Sequence, residues 1–119
     1  VHEGPQRIAR LATQELLPGM ILSNEPGYYR PGAFGIRIEN LVVVREPEEI
    51  EGGDQPMLGF DTLTFCPIDR RLVLPALLTD DELDWLNAYH AETLEKLMPL
   101  LSGTETRDWL ASATEAIVR

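Results

Sequence analysis

Two glutamates occupy positions that packing explains poorly, and both could bind a metal ion. Glu25 ends a short apolar run that begins at Met20, and Glu39 interrupts a run of β-branched residues. Glutamate is depleted in strands, and a charge buried in a sheet must be paired or must bind a metal. Carboxylate ligands suit hard cations such as Mn²⁺ or Mg²⁺. The alternative is a strand face open to water, which is common in antiparallel sheets and needs no metal.

Three other residues with possible chemistry have weaker patterns. His2 precedes a Glu-Gly-Pro turn, and a loop histidine of this kind is ordinarily solvated. His90 falls on the apolar face of a predicted helix, so we expect a partly buried packing residue without a catalytic role. Cys66 lies beside Pro67 with no base nearby in sequence, which predicts a buried, inert thiol.

Two predicted strands position the glutamates. Residues 20–25 are largely apolar and bounded by turn formers, and residues 35–44 alternate and then become continuously apolar. A loop is predicted for residues 26–35, which hold two prolines and three glycines. Two strands joined by a loop suggest an antiparallel pair. Arg37 and Glu39 should share one face of the second strand.

The remainder of the chain changes from strand to helix. Residues 46–56 are acidic and rich in turn formers, which indicates a solvated loop, and residues 58–68 predict a third strand. Thr79 and Glu82 have the spacing of a capping box at the start of a helix. One face of that helix is largely apolar, because these residues recur at helical spacing: Leu83, Leu86, His90, Leu94, Leu97 and Leu101. A shorter helix is predicted after Gly103, with Trp109, Leu110, Ala113 and Ile117 as its apolar residues.

The elements together predict an α+β architecture with an antiparallel curved sheet and two C-terminal helices. We expect residues 1–71 to form the sheet with the glutamate strands, and residues 72–119 to form a helical tail. A chain of 119 residues fits one small domain or part of a larger one.

Composition excludes some functions. The formal net charge of −10 opposes nucleic-acid binding, which requires a basic surface. The longest apolar runs fall well short of the ~18 residues of a membrane helix, so we expect no membrane partner. A single cysteine permits no intrachain disulfide and suits a reducing cytoplasm. The first residues lack an initiator Met and a signal-peptide pattern, from which we expect a piece of a longer polypeptide.

Four motifs carry a family resemblance, in order and in spacing. They are HEGP at 2–5, PGM at 18–20, NEPGYY at 24–29 and GIRIEN at 35–40. This set resembles the pita-bread metallopeptidases, and most of all their Xaa-Pro aminopeptidase branch. DTLT at 61–64 and WLNAYH at 85–90 are similar to the longer, multidomain form. The implied fold is the C-terminal half of a pita-bread catalytic domain.

The resemblance implies a reaction and a set of roles. The family removes the N-terminal residue from peptides with proline in second position, using two divalent ions, commonly Mn²⁺. Those ions are held by two aspartates, one histidine and two glutamates. Glu25 matches the glutamate that binds one ion, Glu39 the carboxylate that bridges both, and His2 a catalytic histidine that contacts the substrate. Arg37 would orient the carboxylates, and a homodimer is expected for the full-length enzyme.

The chain departs from the family pattern in one respect, and alternatives stay open. In the family, two aspartates and the metal-binding histidine precede the position of His2. In this sequence only Val1 precedes His2, so these three ligands are absent. The resemblance therefore implies a fragment that binds metal weakly or not at all and is inactive alone. A prolidase-type Xaa-Pro dipeptidase shares the same metal residues. A third reading is a non-catalytic pita-bread module that binds or dimerises, which the retained glutamates and His2 oppose.

Overall fold

A computed structural model describes residues 4–119, and these form two compact units. The units are Val1–Thr64 and Phe65–Arg119. The described part of the first unit contains five strands: β1 (Ile21–Asn24), β2 (Gly27–Arg30), β3 (Phe34–Arg37), β4 (Asn40–Val44) and β5 (Phe60–Thr62). The second contains α1 (Asp80–Leu97), α2 (Thr104–Ala113) and three 3₁₀ turns, Arg70–Leu72, Pro75–Leu77 and Met98–Leu100.

The core of the first unit lies on a three-stranded antiparallel sheet. Its strand order is β1-β4-β5. Alternate residues of β4 point inward, so Val42 and Val44 are buried together with Leu22 of β1. Leu16 and Met20 pack against this cluster. The predicted antiparallel pairing of the two glutamate-bearing segments is confirmed.

The predicted loop at residues 26–35 is wrong over most of its length. Strands β2 and β3 form an antiparallel hairpin there. Tyr28 and Tyr29 are strongly strand-favouring, and the reversal needs only the short turn that contains Gly32, at a φ of 71°. The other glycines belong to the strands themselves. Every residue of the hairpin is exposed.

The predicted continuous strand from residue 35 to residue 44 is divided into β3 and β4. Pro26 lies opposite the break and explains it. The Ile38 N–H donates to the Pro26 carbonyl at 3.2 Å, but a proline has no N–H to return. The ladder therefore loses a hydrogen bond at this step and resumes as the separate β2–β3 hairpin.

The third strand is shorter than predicted, and the acidic loop is largely irregular. β5 covers Phe60–Thr62 rather than residues 58–68. Beyond β5, the Leu41 N–H of β4 donates to a side chain, the Thr64 hydroxyl, at 3.0 Å. In the acidic segment one isolated bridge joins Glu48 to Met57, and the intervening residues are exposed.

The long helix of the second unit begins as predicted. The Glu82 N–H donates to the Thr79 hydroxyl at 3.2 Å, and the Thr79 N–H donates to the Glu82 carboxylate at 2.8 Å. This capping box satisfies two N–H groups that the first turn leaves without partners. The buried residues of α1 recur at helical spacing, but the predicted apolar face is only partly correct. Leu86 and His90 are buried as predicted, Tyr89 and Thr93 are buried although the prediction did not include them, and Leu83, Leu94 and Leu97 are half-buried. Leu101 lies beyond the end of the helix. A 3₁₀ turn with Pro99 ends the helix.

A side-chain clasp orders the residues that follow α2. Asn87 donates to the Ile117 carbonyl at 3.0 Å, and the Ile117 N–H donates to the Asn87 amide oxygen at 2.8 Å. The amide thus pairs with a backbone segment as a neighbouring strand would. Ile117 is buried although α2 has already ended, so its apolar character did not mark a longer helix.

Cys66 corrects a further expectation, because its side chain is exposed and not buried. The residue lies in a segment without regular secondary structure, and its own backbone N–H and carbonyl both bond to the Tyr89 hydroxyl, at 3.1 and 3.0 Å. Those bonds hold the main chain of Cys66 in place, and the thiol is exposed to solvent. Within residues 4–119, no helix has the length and apolar character needed to cross a bilayer.

Candidate functional site

The two ladders place Glu25 opposite Glu39. Asn24 pairs with Asn40 in the β1–β4 ladder, and Gly27 pairs with Arg37 in the hairpin, so both ladders keep one register across the break. Continuing that register inward from either side puts the two glutamates face to face. Residues two apart on a strand share a face, so Arg37 lies on the same side as both carboxylates.

Arg37 bridges the two carboxylates. Its Nε donates to Glu39 Oε2 at 2.9 Å and lies 4.0 Å from Glu25 Oε2. The side chains are partly open to solvent, with exposed fractions of 35% for Glu25, 36% for Glu39 and 49% for Arg37. The pKa of Arg37 is raised, first by the hydrogen bond to the Tyr29 hydroxyl and also by the Glu39 carboxylate. The guanidinium is charged at neutral pH, as in any arginine, and it neutralises part of the repulsion between the glutamates.

Tyr29 reaches Arg37 by lying across two glycines. Arg37 Nη1 donates to the Tyr29 hydroxyl at 3.5 Å. A methyl group on Gly27 would lie 2.6 Å from that hydroxyl, and one on Gly35 would lie 2.9 Å from the ring. These are contacts that a real Cβ does not make, so the absence of side chains at both glycines gives the phenol its place. The motif residues between the two glutamates thus shape the surface beside them.

The side chains at this site are of a kind that binds divalent cations, but there are too few of them to complete a metal site. Two facing carboxylates supply the oxygen ligands that hard cations prefer. The Arg37 guanidinium lies beside both carboxylates, where a positive charge is favoured. Among residues 4–119, no three His, Cys, Asp or Glu side chains come together as a metal site. His2 lies outside the described residues. The described residues supply part of a site, which further ligands would have to complete.

Family models match both units. The model for the C-terminal region of peptidase M24 matches residues 56–117, just over half of the chain. The model for metallopeptidase family M24 matches residues 1–46, which include His2, Glu25 and Glu39. The chain belongs to metallopeptidase family M24. The resemblance seen in the sequence motifs is confirmed.

Individual M24 relatives are similar over nearly the whole chain. Aminopeptidase P2 of Arabidopsis thaliana is 52% identical over all of this chain, which spans 17% of that relative. A probable Xaa-Pro aminopeptidase P of Laccaria bicolor is 50% identical over 92% of the chain and 18% of its own length. The chain therefore spans less than a fifth of the curated relatives named here.

A solved M24 structure confirms the fold. The X-prolyl aminopeptidase of Caenorhabditis elegans, described as a cytosolic enzyme with a dinuclear active site, matches with a TM-score of 0.78 and 34% identity. The match covers 92% of this chain and 18% of that one. It supports the predicted mixture of antiparallel sheet and two helices as part of a pita-bread fold.

Sequence reasoning missed one polar contact of Glu25. The Ser23 hydroxyl donates to Glu25 Oε1 at 2.6 Å. Ser23 falls within a predicted strand, and the residues around it do not suggest a nucleophile. The available signal was its spacing, since a residue two positions before Glu25 must share its face.

His90 lies in the second unit and serves the backbone there. It is completely buried, and its Nε2 accepts from the Ile68 N–H at 3.0 Å. Burial and the positive charge of Arg70 lower its pKa below the ordinary value. The neutral ring acts as an acceptor for the Ile68 backbone, in agreement with the packing role expected for it.

Proposed function

We propose that this chain forms the C-terminal part of the catalytic domain of a dinuclear-metal Xaa-Pro aminopeptidase. The observation that carries the proposal is the facing pair Glu25 and Glu39 held on either side of Arg37. Packing alone gives no reason to bring two carboxylates together at a strand junction. The names of the Arabidopsis and Laccaria relatives and the dinuclear site of the C. elegans enzyme support the same reaction.

Each proposed role follows from side-chain chemistry and from the family motif. Glu25 would bind one ion, and Glu39 would bridge two, since a carboxylate has an oxygen for each. Arg37 would hold the Glu39 carboxylate in orientation through its 2.9 Å hydrogen bond. His2 would contact the substrate at the scissile bond and stabilise the negative charge that develops on the carbonyl oxygen.

When bound, a pair of divalent cations supplies a nucleophile near neutral pH by lowering the pKa of a shared water. The residues of this chain would hold the metal ions, orient the ligands and contact the substrate. The peptide bond attacked precedes proline, so its nitrogen carries no N–H and the site must recognise a tertiary amide. Arg37 carries a positive charge at neutral pH, as arginine does in proteins generally.

Several narrower proposals accompany the reaction. Mn²⁺ is the proposed metal, because oxygen donors suit it. We also propose that the parent enzyme acts in the cytoplasm, because the C. elegans relative is described as cytosolic. A homodimer is a separate proposal, which the family resemblance implies. Residues 1–71, with the ligand-bearing strands, and residues 72–119, with the helical tail, are proposed as two portions of one catalytic domain.

A chimera tests the proposed reaction directly. The stretch of Arabidopsis aminopeptidase P2 that aligns with this chain would be replaced by residues 1–119, and turnover of Ala-Pro-Ala measured with added Mn²⁺. We expect turnover by the chimera. Glu39→Ala should reduce it by more than about 100-fold, because losing an outer partner of a metal ligand alone costs about 10- to 100-fold. Glu46→Ala, in the exposed acidic loop, is the matched control and should retain activity.

The other outcomes separate the alternatives. Turnover of the dipeptide Ala-Pro but not of Ala-Pro-Ala would assign a prolidase-type reaction. A folded chimera that binds no Mn²⁺ and cleaves neither peptide would overturn the enzyme proposal in favour of a non-catalytic module. The 119-residue chain by itself should cleave neither peptide with Mn²⁺ present, because its proposed ligands are only part of a set. Turnover by that chain would show that the ligand assignment is wrong.

A further inference from the structure

Ser23 and Glu25 form a local hydrogen bond whose geometry selects one carboxylate oxygen. The Ser23 hydroxyl donates to Oε1 at 2.6 Å, and the other oxygen, Oε2, is the one that faces Arg37 at 4.0 Å. Both residues are half-buried, whereas the neighbouring Asn24 and Pro26 are exposed. The two oxygens of Glu25 thus have different partners on different sides.

The strand fixes the donor more firmly than it fixes the glutamate. Ser23 is paired with Leu41 inside the β1–β4 ladder, while Glu25 lies one residue beyond its end. A glutamate side chain has three rotatable bonds and loses considerable rotamer freedom when it is ordered. A hydroxyl anchored in the ladder, on the same face and two residues away, can supply that order at short range.

We propose that Ser23 is a positioning residue for Glu25, holding Oε1 so that Oε2 is presented toward Glu39 and the metal. This inference rests on the proposed function. It assigns the two carboxylates different supports, since Arg37 orients Glu39 and Ser23 orients Glu25.

A matched pair of variants isolates the hydroxyl. Ser23→Thr keeps the donor, and Ser23→Val replaces it with a methyl group of similar shape; both residues favour strands, so both should fold. Mn²⁺ affinity of the chimera described above would be measured by isothermal titration calorimetry. We expect Ser23→Thr to bind Mn²⁺ nearly as well as the parent. Ser23→Val should bind about 10-fold more weakly, at the lower end of the effect of losing a partner of a metal ligand.

A second measurement distinguishes positioning from a general effect on the strand. On a Glu25→Ala background the Thr and Val variants should bind Mn²⁺ equally, because the side chain through which Ser23 acts is gone. Ser102→Ala, an exposed serine in the second unit, should leave the affinity unchanged. Equal affinities for Ser23→Thr and Ser23→Val with Glu25 intact would overturn the role of Ser23. Failure of the unmutated chimera to bind Mn²⁺ would instead overturn the proposed function itself.

Discussion

Replacing His90 with leucine removes the acceptor that the Ile68 N–H uses. The ring is completely buried, and the hydrogen bond to Nε2 is 3.0 Å long. A buried donor left without a partner costs about 1–3 kcal/mol. Ile68 is only half-buried, so water can partly replace the lost acceptor. Leucine also removes the buried Nδ1–H of the ring, for which the described residues provide no hydrogen-bond partner. We therefore expect the free energy of unfolding to fall by about 1 kcal/mol, at the low end of that range. His90→Gln keeps an acceptor oxygen at similar reach and should lose less.

The chain carries its own probe for this measurement. Its two tryptophans, Trp85 and Trp109, both lie in the unit Phe65–Arg119. Tryptophan fluorescence during urea titration therefore follows the unfolding of the unit that contains His90. The free energies of the parent, His90→Leu and His90→Gln would be compared at neutral pH. Equal stability of the Leu variant and the parent would refute the reasoning.

The same histidine predicts how stability depends on pH. Burial and Arg70 lower the pKa of His90 in the folded state, so the unfolded chain takes up a proton first as the pH falls through about 6.5. The His90 contribution to stability is therefore present above that pH and is lost below it, by at most about 1.4 kcal/mol per pH unit. His90→Gln lacks this loss. The stability advantage of the parent over His90→Gln should shrink between about pH 7.5 and 5.5, and an advantage that stays constant would contradict this.

Two further stability predictions concern the same helix and use the same urea titration. Asn87→Ala removes both hydrogen bonds to Ile117 and should lower the free energy of unfolding by about 1–3 kcal/mol; a change near zero would mean that the clasp contributes nothing. Thr79→Ala removes the hydroxyl of the capping box and should cost about 1 kcal/mol, while Thr79→Ser, which keeps the hydroxyl, should cost much less. Equal losses for the Ala and Ser variants would show that the cap is not the cause.

Local signals in the sequence predicted the parts of the fold that local chemistry controls. The start of α1 was predictable because the box of Thr79 and Glu82 satisfies its own first turn. The strand ending near Glu25 was predictable because a short apolar run stood between turn formers. The antiparallel pairing followed from connecting two such strands by a short segment. In each case the decisive residues are close together in the chain.

The misread elements depend on partners that are distant in sequence. Pro26 divides the ladder because it lies opposite Ile38, and only the register shows that opposition. The hairpin was missed because Gly27 and Gly35 suggest turns in sequence, whereas in the fold they make room for Tyr29. Ile117 is buried through Asn87, thirty residues away, so no helical period could place it.

The candidate site was predictable in its members but not in its geometry. Glu25, Glu39 and Arg37 were selected because charges interrupt strand patterns and because their motifs match a family. Their distances depend on the register across Pro26, which the sequence pattern did not reveal. Ser23 was overlooked because a serine in a strand is unremarkable until its hydrogen-bond partner is known.

The register that faces Glu25 toward Glu39 is set independently of the hairpin tip. Asn24 and Asn40 pair in a ladder anchored on the core, before the chain enters the exposed hairpin. Residues inserted or deleted around Gly32 would lengthen or shorten the β2–β3 hairpin without moving the carboxylates. A single insertion between Glu25 and Gly27 would instead turn Tyr29 to the other face, away from Arg37. Related chains can therefore vary in length at the tip, whereas the short stretch beside each glutamate tolerates no such change.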